Sequence, residues 1–94
     1  MVIALLRFLE KKAGSRRGRT TVPKDGYRPA IALGATQTSC AIRGIDGEAF
    51  QFGVDHRVSL ELMFPECSNP FVAGQHIEFF EGSNLVAVGT ILKP

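Results

Sequence analysis

The sequence predicts an all-β fold, a small closed antiparallel barrel, and three observations carry that prediction. Apolar residues recur with period two: Val58, Leu60, Leu62 and Phe64 alternate with Arg57, Ser59, Glu61 and Met63, which gives a strand one buried and one solvated face. Gly and Pro punctuate the chain at short intervals, and no stretch has convincing helical periodicity. The 94 residues, 45% apolar and 21% charged, are enough for one domain (residues 1–94) with a single core and no disulfide requirement. Closing the sheet on itself would remove the exposed edges that so small an all-β chain otherwise presents.

The elements follow in order. Val2 to Leu9 reads as the first strand. Residues 11–25 form a basic loop in which Gly14, Ser15, Gly18 and Pro23 prevent regular structure. Tyr27 to Leu33 and Thr36 to Arg43 read as two further strands, and the Asp46-Gly47 turn leads to a short one at Ala49 to Phe52. Arg57 to Phe64 is the cleanest strand. From Gln75 the alternation resumes, with Ile77 and Phe79 on one face and His76, Glu78 and Phe80 on the other. Gly82-Ser83 suits a two-residue hairpin, because Gly accepts positive φ at the first central position. Leu85 to Leu92 returns, with Gly89 as a bulge or a point of close approach. The expected core draws on Leu5, Ile31, Leu33, Ile42, Val58, Leu60, Leu62, Ile77, Phe79, Val86 and Val88.

Several functional classes find no support in the residues. The apolar start, Met1 to Leu6, is far short of the roughly 20 residues that span a bilayer, and it lacks the basic flank of a signal peptide, so a cytoplasmic protein with no membrane partner is expected. Cys40 and Cys67 belong to no Cys-x-x-Cys pair and read as free thiols. There is no phosphate-cradling Gly-rich motif, which excludes nucleotide hydrolysis. His56, His76, Cys40 and Cys67 could in principle supply four zinc ligands, yet no two of them have the short spacing of zinc ligands, so no metal is expected and both histidines read as exposed. Cys67 has no nearby histidine to deprotonate it, and nothing in the spacing selects a pair among Asp46, Glu48, Glu61, Glu66, Glu78 and Glu81. No catalytic residue and no cofactor are expected.

Charge is placed unevenly. Between positions 11 and 28 lie Lys11, Lys12, Arg16, Arg17, Arg19, Lys24 and Arg28 against Asp25 alone, a net +6, which leaves −4 for the rest of the chain. Such a run reads either as a solvated loop or as the footprint of an anionic partner such as RNA. Phe8 and Tyr27 are the only aromatics near it in sequence, too few for a base-stacking platform, so an RNA would be gripped by its phosphates and shape.

At Gly26-Tyr27-Arg28-Pro29, preceded by a basic glycine-bearing loop, the chain resembles the third, C-terminal domain of bacterial elongation factor Tu. The resemblance continues through Arg57 to Pro65, then Phe79-Phe80-Glu81-Gly82 and Val86-Ala87-Val88-Gly89, and covers nearly the whole chain in order. It implies a six-stranded antiparallel barrel standing alone, without catalytic role and without the factor's GTPase and second domains. In the factor this domain touches the T-stem of aminoacyl-tRNA and contributes to contact with the exchange factor Ts. On that basis Arg16 or Arg17 stands in the region of the family's loop arginine, Ser39 replaces an RNA-contacting threonine, and Gly82 keeps the hairpin. Ala30 replaces a glutamine, and Phe80 and Asn84 replace the hairpin's two arginines. Tyr27-Arg28-Pro29 has a purely structural reading beside this one: the proline starts a strand, the tyrosine ring packs, and the arginine pairs with a carboxylate.

Two functions are therefore expected as alternatives. The first is binding of tRNA or other RNA, or of translation components, through Lys11, Lys12, Arg16, Arg17, Arg19 and Arg28, with Ser39 and Gly82. The second is a protein-docking adaptor whose exposed anchors are Met63 and Phe80.

Overall fold

The computed structural model describes residues 1–63 and 71–94. Six strands, β1 (Val2–Phe8), β2 (Ala30–Leu33), β3 (Thr36–Gly44), β4 (Asp55–Leu62), β5 (His76–Glu81) and β6 (Asn84–Lys93), form a closed antiparallel barrel in the order β1-β4-β3-β2-β5-β6. Among the described residues there is no helix, and hence none long and apolar enough to cross a membrane. Phe64 and Cys67 lie outside the described residues.

Register explains the core. Ala4 faces Val58, Ile42 faces Leu60, Cys40 faces Leu62, Ile31 faces Phe79 and Phe79 faces Ala87, so that the inward positions of neighbouring strands coincide all the way round. In an antiparallel sheet a one-residue slip would turn every one of these side chains outward, so burial fixes the pairing. One end of the cylinder is plugged by rings: Phe8 and Phe50 lie 4.8 Å apart, with His56 5.3 Å from Phe50 and 6.1 Å from Phe8.

Five expectations need correction. Leu5 is half-buried on the outer face, whereas Ala4, Leu6 and Phe8 point inward. The run Val2 to Leu6 is apolar at every position and so carries no parity of its own; the exposed Arg7 sets it. Val88 is likewise half-buried outside, and the consecutive burial of Leu85, Val86 and Ala87 accompanies a register shift between Phe79 and Phe80. Leu33 and Leu62 are only partly buried, packed against the core. No strand forms at Ala49 to Phe52: Phe52 makes an isolated bridge to Phe8, and Phe50 turns in as part of the plug. His56 is buried, because it shares the inward parity of Val58 and Leu60, and its Nε2 lies 3.0 Å from the Gln51 amide that donates to it.

The second strand is shorter than its apolar run. Pro29 has no N–H to offer the ladder. The stretch before it still lies along β3, since Cys40 and Ile42 donate their amides to the Pro29 and Tyr27 carbonyls at 2.9 and 2.8 Å.

Candidate nucleic-acid interface

The loops at the plugged end join β1 to β2, β3 to β4 and β5 to β6, and the first of these is the basic segment. Beyond Phe8 the chain stays attached for a few residues: Leu9 donates to the Val86 carbonyl at 2.9 Å, and Lys11 and Arg19 donate to the Arg19 and Leu9 carbonyls, each at 2.9 Å. Residues 9–11 and 18–19 thus form a neck. Gly18 closes it, donating to the Leu85 carbonyl at 2.8 Å while its own carbonyl accepts from Asn84 Nδ2 at 2.9 Å. Only glycine fits there. Its φ is +90°, and a Cβ would sit 2.6 Å from the Glu10 carbonyl carbon and 2.7 Å from the Leu9 oxygen, both backbone atoms that cannot swing aside.

Between the two sides of the neck, Lys11 to Gly18 forms a short finger. Ser15 donates its amide to the Lys12 carbonyl and accepts from the Arg17 amide at its Oγ, both at 3.0 Å, which folds the tip back on itself. Lys11, Lys12, Arg16 and Arg17 are all exposed, and none forms an ion pair among the described residues. The finger has no carboxylate of its own between Lys11 and Gly18. Four uncompensated charges held on one ordered excursion create a local field that attracts anions.

Arg19 has a different task. Its Nη1 lies 3.1 Å from Glu81 Oε2, its guanidinium sits 4.7 Å from the centre of the Tyr27 ring, and the Tyr27 hydroxyl donates to the same Glu81 carboxylate. Burial, and secondarily the Glu81 carboxylate, pushes the Tyr27 phenol well above its ordinary range, so it stays a hydrogen-bond donor. The three side chains clasp the base of the finger to the β5–β6 hairpin. Tyr27 also meets Phe8 edge-on at 6.3 Å, in keeping with the structural reading of Tyr27-Arg28-Pro29. Arg28 is exposed and, among the described residues, pairs with no carboxylate.

The remaining sequence candidates fall in two places. Gly82, at φ +63°, and Ser83 form the two-residue hairpin loop between the paired Glu81 and Asn84. Phe80 is the Cα partner of Ala30, Ala30 is the partner of Ser39, and the Met63 amide donates to the Ser39 carbonyl at 2.9 Å. Phe80, Ala30, Ser39 and Met63 therefore make one lateral row across β5, β2, β3 and the end of β4. Neither Phe80 nor Met63 is a protruding anchor, as the adaptor reading expected; both are half-buried, because strand neighbours flank each of them.

Sequence reasoning did not find Glu81, Asn84 or Gly18 as the fasteners of the finger. The lone glycine between Arg17 and Arg19 is the one signal that pointed there. Of the residues considered for zinc, Cys67 lies outside the described residues, His76 is exposed and lies 3.5 Å from Glu78, and His56 and Cys40 face the interior, away from it. Among the described residues no group of three or more metal-ligating side chains comes together. No protein-family model matches the chain, and no curated protein matches it.

Proposed function

We propose that this chain is a non-enzymatic binding module, similar to the third domain of elongation factor Tu, that holds tRNA or another RNA of the bacterial translation apparatus by its phosphates. One observation supports this most: Lys11, Lys12, Arg16 and Arg17 project from a finger whose neck is pinned by backbone hydrogen bonds. Pinning matters because ordering a flexible basic loop on binding would cost conformational entropy that a preformed loop has already lost. Arg28 adds a fifth exposed cation. Arg19 contributes by fastening rather than by contacting phosphate.

Fluorescence anisotropy with labelled tRNA across a salt series tests the reading. Each phosphate contact releases counterions, so four or five contacts give a log–log slope of about −3 to −4. Arg16→Glu with Arg17→Glu should weaken binding more than tenfold and flatten the slope by about two contacts' worth. Salt-insensitive binding, or an unchanged affinity in the double variant, overturns it. The adaptor reading draws on the Phe80–Met63 row and expects no RNA affinity at all.

A further inference from the structure

We propose that the RNA held by the finger is single-stranded, and that one of its bases stacks against Phe80; this rests on the RNA reading above and narrows it to a class of RNA. The register places Phe80 beside the finger although the two lie more than sixty positions apart in sequence. Gly18 is bonded to the Leu85 carbonyl, Leu85 is the Cα partner of Phe80, and Arg19 is paired with Glu81, the next residue along. The root of the finger therefore runs beside β6, two strand spacings or about 10 Å from the strand that carries Phe80, and Arg19 reaches across to that strand at Glu81.

On its other side Phe80 faces Ala30, and Arg28 precedes Ala30 by two residues, which by strand parity puts it on the same outer face. An aromatic ring is thus bracketed by two sources of positive charge. Beyond it the row continues with Ala30 and Ser39, side chains small enough to leave a shelf next to the ring where a flat base can lie. A duplex turns its base faces inward and has nothing to offer a ring on a sheet surface, whereas an unpaired strand presents both base faces and phosphates at once. Charge complementarity favours such a strand over an apolar protein segment, since Arg28 and the finger's Lys11, Lys12, Arg16 and Arg17 lack carboxylate partners among the described residues, Arg19 alone being paired, to Glu81.

The test compares a fluorescein-labelled twelve-nucleotide RNA of mixed sequence with the same strand annealed to its complement, on the full chain. Phe80→Leu is the informative variant because it keeps an apolar side chain at a half-buried position and removes only the aromatic face; circular dichroism and a thermal melt verify that it folds. The single strand should bind more tightly than the duplex, and Phe80→Leu should weaken the single strand roughly five- to a hundredfold, the usual range for loss of one stacked base, with little effect on the duplex. A 2-aminopurine in the strand should be quenched by the native chain and not by Phe80→Leu. Equal binding of both RNAs with no effect of Phe80→Leu overturns stacking but leaves the phosphate grip standing. Loss of neither RNA in the Arg16→Glu, Arg17→Glu variant overturns the underlying RNA reading instead. A co-purifying protein lost on Phe80→Asp, with RNA binding unaltered, assigns the row to protein docking and overturns the proposal.

Discussion

Cys40 shows how strongly the interior acts on a single group. Fully buried on β3, its thiol is pushed from an ordinary 9.0 to about 12, mainly because burial penalises the thiolate. An acid whose value rises on folding stays protonated in the native state after the unfolded chain has lost its proton. Stability must therefore fall as pH climbs from about 9 toward 12, and is unaffected by this group below that window. The loss reaches about 1.4 kcal/mol at pH 10, where the unfolded thiol is mostly ionised. Tyr27 adds to the same alkaline weakening, but only above its ordinary value of 10.0, so the interval from pH 8 to 10 isolates the cysteine. Urea unfolding of native and Cys40→Ala chains across that interval checks this. The variant starts lower, through loss of packing, but its stability should decline less steeply, and parallel declines would show that Cys40 does not titrate as described.

At the level of elements, the finger depends on one glycine. Gly18→Ala places a Cβ against the backbone of Leu9, Glu10 and Lys11 at a φ of +90°, so the neck must open and the Leu85 bond must lengthen. Amide exchange at Lys11 and Arg19, whose N–H groups close the neck, should accelerate at least tenfold, on the order of the loss of 1–2 kcal/mol of local stability. The β4 amides of Val58 and Leu60 should keep their protection; unchanged exchange at Lys11 would mean the neck is not held as argued. Elements with local signals were the legible ones. Strand β4, strand β5 and the Gly82-Ser83 hairpin announce themselves by alternation and turn chemistry within a few residues. The face of β1 was misread because an unbroken apolar run has no alternation, and Ala49 to Phe52 was misread because Phe50 is apolar for the sake of the plug rather than a ladder. Apart from the lone glycine at position 18, the clasp has no local signal. Its partners are 54 residues apart at Tyr27 and Glu81 and 66 at Gly18 and Asn84, so only the closed barrel makes them neighbours.

Closure itself is the property of the whole molecule, and it is concentrated at the seam between the first and last strands. Strand β6 pairs with both β5 and β1, and Gly89 is the partner of Ile77 on one side and Leu6 on the other. A Cβ on Gly89 would strike the Leu5 carbonyl oxygen, and would lie 2.9 Å from Leu6 Cδ1 and 3.1 Å from Leu6 Cα. The φ of Gly89 is not positive, so this glycine is required by proximity rather than by backbone conformation. Because the sheet has no free edge, β1 cannot retreat from an added methyl without loosening its pairing to β4 as well, and the strain spreads around the ring. Gly89→Ala should therefore cost about 2–4 kcal/mol, at the upper end for inserting one methyl group. Gly34 provides the contrast. It lies at φ +62° in the β2–β3 turn with open space around it, and Gly34→Asn, a residue that tolerates that conformation, should cost under about 1 kcal/mol. Urea midpoints for the two variants decide the matter: the seam closes the barrel as described only if the glycine with the ordinary φ proves the more costly one to replace.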